Sequence, residues 1–521
     1  MNGFPIISLL TFTPLIGAVL LLLKGNKKPG SNPNQFGLGV CGIALLLGVY
    51  IAFSFDPAAS ALQATERFEW IPTLNLSYSV GIDGLSLLMV LLTTLLTPVS
   101  LIAAPAKLPR KHHYVALVLL LETGLIGTFT ATNFFLWFLY WEICLIPAFF
   151  LIRLWGGPNR SDAAVQFFIY TFVGSAGLLL SFLALFAATG TFDFAVLAEQ
   201  ARSGVLTANI ANNLGWADIP IKGISLILFC LAFLGVAVKV PLYPFHTWLP
   251  STYAEAPTSI TILLTGLMSK MGVYALLRLI VPIFGAQMQI LATPLLALAV
   301  VTIVFSAFAA YRQEDLKRIF AYSSINHLGY CFLGVFAITS GTGLTESWQN
   351  DAGAAFNGVI LQMFNHGIIA GLIFFLIARL ELRSEGQRGI TDFGGLRSVM
   401  PLYSTALGVA LFASLGLPGL SAFIGEFLIF KGAFGLVKWA PIVSTIGLLL
   451  TAIFVLGVIQ RLLTGPLNSR WKNLKDLSSE ETWVVIPSLL IILIAGVAPQ
   501  TLIHFINATS LQFINLAAGT P

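Results

Sequence analysis

The stretch that decides the fold is residues 238–271, VKVPLYPFHTWLPSTYAEAPTSITILLTGLMSKM. An apolar run ends near Lys239, three prolines interrupt the chain, and a second apolar run begins near Pro257 and carries Lys270 close to its middle. Proline breaks a helix, and irregular backbone survives inside a bilayer only where protein or a water-filled cavity satisfies its polar groups. Two lysines on either side of such a break predict a functional site within a membrane.

The composition identifies the class of protein. The chain has 521 residues, of which 57% are hydrophobic and only 9% charged, against about 25% charged residues in soluble domains. The four cysteines lie in apolar runs and form no CxxC pair, so they are predicted to be free and buried. The sequence has no nucleotide-binding glycine motif and no zinc, haem or iron–sulfur ligand pattern, so no cofactor or metal site is expected in this chain.

Fourteen apolar runs are long enough to cross a bilayer, which takes about 20 helical residues. The sequence therefore predicts an all-α integral membrane protein with about 14 transmembrane helices. In chain order, the runs lie at 4–23, 36–54, 82–102, 114–132, 134–153, 163–187, 223–243, 257–281, 290–311, 319–338, 353–378, 400–429, 441–462 and 484–507.

The loops between these runs divide the basic residues unequally. With alternating sides, 19 of the 27 lysines and arginines, Lys27 and Lys28 among them, fall on one side and five on the other. Positive loops mark the cytoplasmic side, so both termini are expected on the opposite side, the lumen if the membrane is a thylakoid. Because this charge lies in short loops, no nucleic-acid partner is expected. The long loops 55–81 and 188–222 are predicted to form short amphipathic surface helices.

Charged side chains within the apolar runs are the candidates for function. Each costs roughly 2.5–3.5 kcal/mol if it faces lipid, so they are expected to face the protein interior. His327 and His366 add two groups that titrate near neutral pH. Acids, lysines and histidines in seven different spans together predict a proton relay. The charged candidates are Glu122, Glu142, Lys239, Lys270 and Glu426.

Electrostatics suggests how such a relay would work. A nearby carboxylate favours the protonated form of a buried lysine, and its removal favours release of the proton. We therefore predict that Glu142 and Lys239 form an ion pair whose separation passes a proton to the next group. A static structural role is the alternative for every candidate, and it is strongest for Glu122 and His366. Arg278 is expected to extend to a membrane interface.

A second interrupted run lies at 400–429, where Gly416, Pro418 and Gly419 precede Glu426. The two breaks fall in runs 7 and 12, which are an odd number of spans apart, so runs 4–8 and 9–13 would have opposite directions. This is the pattern of an inverted repeat with discontinuous helices around midplane sites. The predicted units are residues 1–113, 114–281, 282–462 and 463–521.

Three stretches resemble the antiporter-like subunits of respiratory complex I and their relatives, and the resemblance covers nearly the whole chain. They are LYWEICLIPAFFLI at 139–152, FLGVAVKVPLYPFHTWLPSTYAEAPTSITILLTGLMSKMGVYALLR at 233–278, and RQEDLKRIFAYSSINHLGY at 312–330. Within that family, the chain 4 type has glutamate at the charged position of the second interrupted run, where its paralogues usually have lysine. With Glu426 at that position, this chain resembles the chain 4 type. The stretch ERFEWIPTLNLSYSVGIDGLSLLM at 66–89 resembles the cyanobacterial and plastid branch, whose complex reduces plastoquinone.

The resemblance implies a role for each matching residue. Glu142 and Lys239 would be the interacting pair, Lys270 the central relay group, and Glu426 the group on the exit side. His327 would be a connecting histidine.

Other positions of the family signature carry less weight. His246 matches the FHTWLP signature and is a candidate for either a relay or a structural role. Relatives often have an acid and a histidine where this chain has Ser251 and Tyr253, although Glu255 remains.

The resemblance implies proton translocation in a complex I-like (plasto)quinone reductase. Other chains would transfer electrons from NAD(P)H or ferredoxin, and this chain would hold no redox centre. The expected partners are neighbouring antiporter-like paralogues, other membrane-arm subunits and lipids, and the expected location is a cyanobacterial thylakoid membrane. The alternatives are a stand-alone cation/proton antiporter subunit, which Glu426 disfavours, and a structural scaffold of the membrane arm.

Overall fold

The computed structural model describes residues 4–24, 32–214, 220–341 and 345–517. The predicted loop cations Lys27 and Lys28 lie outside these residues. The first part of the chain contains α1 (Ile6–Lys24), α2 (Pro33–Ser54), β1 (Gln63–Ile71), β2 (Leu76–Ile82), α3 (Gly84–Ala103), α4 (Lys111–Thr130), α5 (Phe134–Trp155), α6 (Arg160–Thr189), α7 (Phe194–Arg202) and α8 (Val205–Leu214).

The second part begins with α9 (Ile221–Lys239) and α10 (Trp248–Glu255). One long helical segment follows, in which two π-helical turns separate α11 (Thr258–Leu263), α12 (Ser269–Ala275) and α13 (Val281–Ile290). The remaining helices are α14 (Ala292–Tyr311), α15 (Leu316–Ser340), α16 (Glu346–Arg383), α17 (Pro401–Ser414), α18 (Ser421–Leu436), α19 (Trp439–Val458), α20 (Ser479–Val497) and α21 (Gln500–Ala517).

The predicted all-α membrane architecture is confirmed. Thirteen helical segments among the described residues have the length and hydropathy to cross a membrane, against about 14 predicted, and α17 is a shorter apolar helix. The boundaries differ from the prediction at the C-terminal run 484–507. It contains the end of α20 and the start of α21, because Pro499 stands between the two helices.

The prediction of surface helices was wrong for one of the two long loops. Residues 188–222 do contain two short helices, α7 and α8, but residues 55–81 contain the antiparallel hairpin β1–β2. Glu66 of β1 is buried and accepts a hydrogen bond of 2.7 Å from the Ile7 backbone N–H at the start of α1. A carboxylate at a helix N-terminus is stabilised by the helix dipole, so Glu66 of the hairpin caps the N-terminus of α1.

The first helix break begins where α9 ends at Lys239. Pro241 and Pro244 follow, and neither can donate a backbone hydrogen bond. The carbonyl of Val238, which loses its helical partner at this break, accepts a 3.0 Å hydrogen bond from Trp248 Nε1. Protein groups thus satisfy the interrupted backbone, as the low dielectric of a membrane requires.

The second break lies between α17 and α18. Gly416 and Gly419 there have positive φ angles of 79° and 94°, a region that glycine occupies without steric cost. Asn365 of α16 donates a 2.7 Å hydrogen bond from Nδ2 to the carbonyl of Ser421, in the first turn of α18. The start of α18 is therefore held by a side chain of a neighbouring helix.

Glycines allow the broken helices to pack closely against their neighbours. A Cβ atom on Gly235 of α9 would meet the backbone carbonyl of Gly174 on α6, and one on Gly358 of α16 would meet the backbone of Gly425 and Ile429 on α18. Small residues at such contacts are typical of membrane helix pairs. The two pairs contain spans 6 and 7 and spans 11 and 12, which correspond in the predicted inverted repeat.

Two other predicted positions need correction. Arg278 forms a 2.6 Å ion pair with Asp83, which is buried at the N-terminus of α3, and so does not extend freely to an interface. Cys230 is exposed on α9, whereas the other three cysteines are buried as predicted. Asp83 also accepts a hydrogen bond of 2.9 Å from the Ser86 N–H and so caps α3.

We expect Asp83→Asn to destabilise the protein by about 2 kcal/mol, because asparagine keeps the helix cap but leaves the Arg278 guanidinium without its charged partner. Denaturant-induced unfolding in detergent micelles measures this change. Glu199→Gln is the matched control, since it removes the exposed ion pair with Arg202, which is worth at most about 1 kcal/mol. Equal effects of the two substitutions would contradict a stabilising role for the Asp83–Arg278 pair.

Candidate functional site

Lys270 is completely buried and has hydrogen-bond contacts with protein groups. A π-helical turn, Leu264–Met268, directly precedes its helix. The carbonyl of Thr265 in that turn accepts hydrogen bonds from Lys270 Nζ at 2.6 Å and from Ser269 Oγ at 2.8 Å. Such turns occur frequently at functional sites because they disturb the regular backbone ladder. Here the altered turn provides an acceptor for a buried ammonium group.

A buried series of side chains leads from Lys270 to Glu426. Lys270 Nζ lies at a hydrogen-bonding distance of 2.6 Å from His366 Nδ1, and the imidazole rings of His366 and His327 are 5.2 Å apart between centroids. His327 Nδ1 then lies 3.1 Å from Glu426 Oε1. All four residues are at most 5% exposed. We call these four residues the Lys270–Glu426 series. They belong, in that order, to α12, α16, α15 and α18.

Two neutral side chains complete the surroundings of Glu426. Gln362 Nε2 donates to Glu426 Oε1 at 3.3 Å, and Ser414 Oγ lies 3.2 Å from His327 Nε2. Ser414 is the last residue of α17, so the second helix break brings its hydroxyl to the histidine. With Nδ1 facing the carboxylate, the His327 ring is held at both nitrogens, which fixes its orientation.

Small polar cavities flank this series. One of about 10 Å³, close to the least that holds a single water, is lined by Ser323, Ser324, Ser414 and His366 among others. Thr265 Oγ1 and Ser324 Oγ are 2.9 Å apart beside it. A water molecule there would have several hydroxyl partners, which is the condition for a stable buried water.

Lys239 lies at the other end of the site and faces a second cavity of about 10 Å³. Tyr253 and Ser269 also line this cavity, and Ser269 Oγ is 3.4 Å from Lys270 Nζ. Lys239 Nζ lies 4.7 Å from the centre of the Trp141 ring, a cation–π contact. Ser269 thus lines the cavity that Lys239 also lines and lies beside Lys270 Nζ.

The predicted ion pair between Glu142 and Lys239 is not formed in this structure. Within the described part of the chain, no carboxylate oxygen lies within 4.0 Å of Lys239 Nζ. Glu142 is half-buried, and its Oε1 has no hydrogen-bond partner. Trp141, the residue before Glu142, occupies the position against the lysine.

The structure leaves two other candidates apart from the series. Glu122 is completely buried on α4. Its Oε2 accepts a hydrogen bond of 3.4 Å from Cys41 Sγ on α2, and its Oε1 has no hydrogen-bond partner among the described residues. His246 lies against the aromatic rings of Tyr243 and Phe305, 5.5 Å and 5.2 Å away between centroids. His246 therefore packs as an aromatic residue in the first break.

Two cations fix the turn between α10 and α11. Lys317, predicted to lie in a loop, is buried in the first turn of α15 and donates a 2.6 Å hydrogen bond to the carbonyl of Ala256. Arg388 donates 2.6 Å to the carbonyl of Ala254 and pairs with Asp315 at 2.6 Å. These contacts hold the chain that connects the first break to the helix of Lys270.

Sequence reasoning missed the neutral members of the site, which are Thr265, Ser269, Gln362 and Ser414. Ser269 and Ser414 carried a weak signal, because each is a hydroxyl residue next to Lys270 or to the second helix break. No local pattern in the sequence distinguishes Gln362 from other polar residues of α16. His366, ranked as a weaker candidate, is the residue that directly contacts Lys270.

Comparison with known proteins agrees with this architecture. Residues 131–453 match the family model for NADH:quinone oxidoreductase/Mrp antiporter transmembrane proteins. The chain is 33% identical to NADH-quinone oxidoreductase subunit M of Rickettsia bellii, covering 97% of each protein. It is 32% identical to F(420)H(2) dehydrogenase subunit M of Methanosarcina mazei, covering 99% of each.

A solved structure extends the similarity to three dimensions. The fold matches a chain of respiratory complex I from Thermus thermophilus with a TM-score of 0.83 and 26% identity, over 98% of this chain and 99% of that chain. Both the sequence match and the shared fold cover almost the full length. The chain therefore belongs to the NADH:quinone oxidoreductase/Mrp antiporter family of transmembrane proteins.

Proposed function

We propose that this chain is the proton-translocating membrane subunit of a complex I-type quinone oxidoreductase. The observation that carries the proposal is the buried Lys270–Glu426 series, in which a lysine, two histidines and a carboxylate follow one another across four helical elements. Family membership and the subunit M relatives support the same function. Since electron transfer occurs in other chains, its energy reaches this chain through neighbouring membrane subunits.

Each group in the series has the chemistry to hand on a proton. Lys270 Nζ lies 2.6 Å from His366 Nδ1, so with Nδ1 unprotonated a proton leaving the lysine has an acceptor in hydrogen-bond contact. No hydrogen bond joins His366 and His327 in the described structure, so that transfer requires a ring rotation or one bridging water. Glu426 then receives the proton from His327 Nδ1. Water in the small serine-lined cavity beside His366 would supply the next proton.

Lys239 and Glu142 supply the control of this transfer. When the Glu142 carboxylate approaches Lys239, it stabilises the protonated form of the lysine. When the carboxylate withdraws, that form loses this stabilisation and the lysine releases its proton more readily. The conformation described here is the separated one, with Lys239 against Trp141 and beside the cavity that leads to Ser269. Approach of Glu142 in another conformation would reverse the direction in which Lys239 exchanges its proton with Lys270.

We also propose that the complex reduces plastoquinone in a thylakoid membrane of a cyanobacterium or plastid, with both termini of this chain in the lumen. The support is the resemblance of residues 66–89 to the cyanobacterial and plastid branch, together with the unequal distribution of basic residues between the loops of the two sides. The electron donor would be NAD(P)H or ferredoxin. Quinone extraction from the purified complex tests the proposal: bound plastoquinone is expected, and ubiquinone or menaquinone in its place would contradict it.

A stand-alone antiporter remains the competing function, because the matched family also includes antiporter subunits. The two functions differ in what the isolated chain does. Sodium–proton exchange by the purified chain alone in liposomes would favour the antiporter. Co-purification with redox subunits, together with proton pumping that requires quinone reduction, would favour the complex I-type subunit.

We expect Glu142→Ala and Lys239→Ala each to lower proton pumping in the assembled complex by roughly 100-fold, the loss typical for removal of a proton-transferring group. The measurement is the number of protons translocated per quinone reduced in sealed vesicles. Lys222→Gln is the matched control, since it removes an exposed charge from the same helix as Lys239. Unchanged pumping in both alanine variants would contradict the proton relay and would favour a structural role of this chain in the membrane arm.

We expect Glu426→Gln to stop pumping while the complex still assembles, because glutamine keeps the hydrogen bond to His327 but cannot take up a proton at that position. Ser414→Ala is the comparison: it removes only the hydroxyl beside His327 Nε2 and should retain most of the pumping. Vesicle acidification at matched quinone-reduction rates measures both variants. Equal pumping by Glu426→Gln and the unmodified protein would exclude Glu426 from the route.

A further inference from the structure

We propose that a groove between α1, α4 and α5 binds one anionic phospholipid, with an acyl chain along its apolar wall and the phosphate at Arg110 and His113. The groove has a volume of about 560 Å³, within the range of sites that bind small organic molecules. It lies apart from the Lys270–Glu426 series, and the proposal does not rest on the proposed function.

The wall of the groove suits a hydrocarbon chain. Its lining is apolar except at one end, and it includes Val19 and Leu22 of α1, Leu120 of α4 and Phe150 of α5. Val19, Leu22 and Phe150 are 45%, 53% and 41% exposed, so the groove is open. From Leu22 to Leu15, which also lines it, the helix rises roughly 10 Å. A chain in this groove would lie parallel to the helices, as a lipid tail does.

The polar end of the groove suits a phosphate. Arg110 and His113 line it, and residues 104–121 contain Lys107, Arg110, Lys111, His112 and His113 but no acid. In the part of the chain that the structure describes, Arg110 has no carboxylate within 4.0 Å. Basic pockets between membrane helices at this level bind acidic lipid headgroups.

Aromatic contacts fix the shape of this end. Trp155 Nε1 donates a 2.7 Å hydrogen bond to the carbonyl of Pro109, and its ring packs edge-on against Tyr114 with 5.3 Å between centroids. Trp155 also lines the groove. Tryptophan and tyrosine concentrate at the membrane–water interface, which locates Arg110 and His113 at headgroup depth and the apolar wall below them.

Charge complementarity favours a lipid over the helix of a neighbouring subunit. The ends of α1 and α5 and the start of α4 share the side that carries most of the basic loop residues. A neighbouring membrane protein obeys the same positive-inside distribution, so its helix would bring further positive charge to Arg110. An anionic phosphate neutralises this end, whereas a zwitterionic lipid does so only in part.

Photo-crosslinking in reconstituted vesicles tests the site. The intact complex is incorporated into vesicles that contain a photoactivatable phosphatidylglycerol or phosphatidylcholine, and labelled peptides are mapped. We expect phosphatidylglycerol to label residues 110–120 and 150–155 roughly fivefold more than phosphatidylcholine, the factor expected for one basic residue near the headgroup. Equal labelling by both lipids, or crosslinking of these peptides only to another subunit, would overturn the proposal.

Substitutions separate the headgroup from the acyl-chain contact. Arg110→Gln with His113→Gln should make the two lipids label equally, whereas Arg312→Gln, an exposed charge at the end of α14, should change nothing. Val19→Trp should obstruct the groove and lower labelling by both lipids. Ile16→Trp, also exposed on α1 but outside the groove, is its control. A preference for phosphatidylglycerol that persists in the Arg110/His113 variant contradicts the site.

Discussion

The complete burial of the Lys270 amino group is the constraint on which the centre of this protein depends. A lysine without access to water must receive its hydrogen bonds from protein groups, or its charged form becomes very costly. The π-helical turn before it supplies the Thr265 carbonyl, and α16 supplies His366 Nδ1. Because His366 lies next to the His327 ring, the same arrangement that solvates the lysine connects it to Glu426. The contacts that solvate Lys270 are therefore the same contacts on which the proposed proton route depends.

The interrupted helices impose a second constraint, since each break frees backbone carbonyls inside the membrane region. Side chains of other elements satisfy carbonyls at and after the first break. Trp248 donates a hydrogen bond to the carbonyl of Val238, and Lys317 donates one to the carbonyl of Ala256. These bonds explain why irregular backbone is tolerated beside Lys239. They also hold the end of α9 and the turn after α10 in position.

The sequence predicted most of the spans and most of the candidate side chains, and its errors have identifiable causes. Residues 55–81 were expected to form a surface helix, but they contain a β-hairpin. Its residue Glu66 caps the N-terminus of α1. Arg278 was assigned to an interface because its partner Asp83 is 195 positions away in sequence. Lys317 was counted as a loop cation because the carbonyl to which it donates, that of Ala256, lies 61 positions away in the turn between α10 and α11. The errors on Arg278 and Lys317 both concern contacts between elements that are far apart in the chain.

The sequence by itself determined that this protein crosses a membrane many times, where two of its helices are interrupted, and which charged groups are too costly to face lipid. It could do so because hydrophobic length, proline and charge act locally on each span. Only the tertiary structure decided that His366 joins Lys270 to His327, that Ser414 and Gln362 complete the site, and that Glu142 stands apart from Lys239. These relations depend on how each helix is rotated and how closely glycines let its neighbours approach, and that information is distributed over the whole packed bundle.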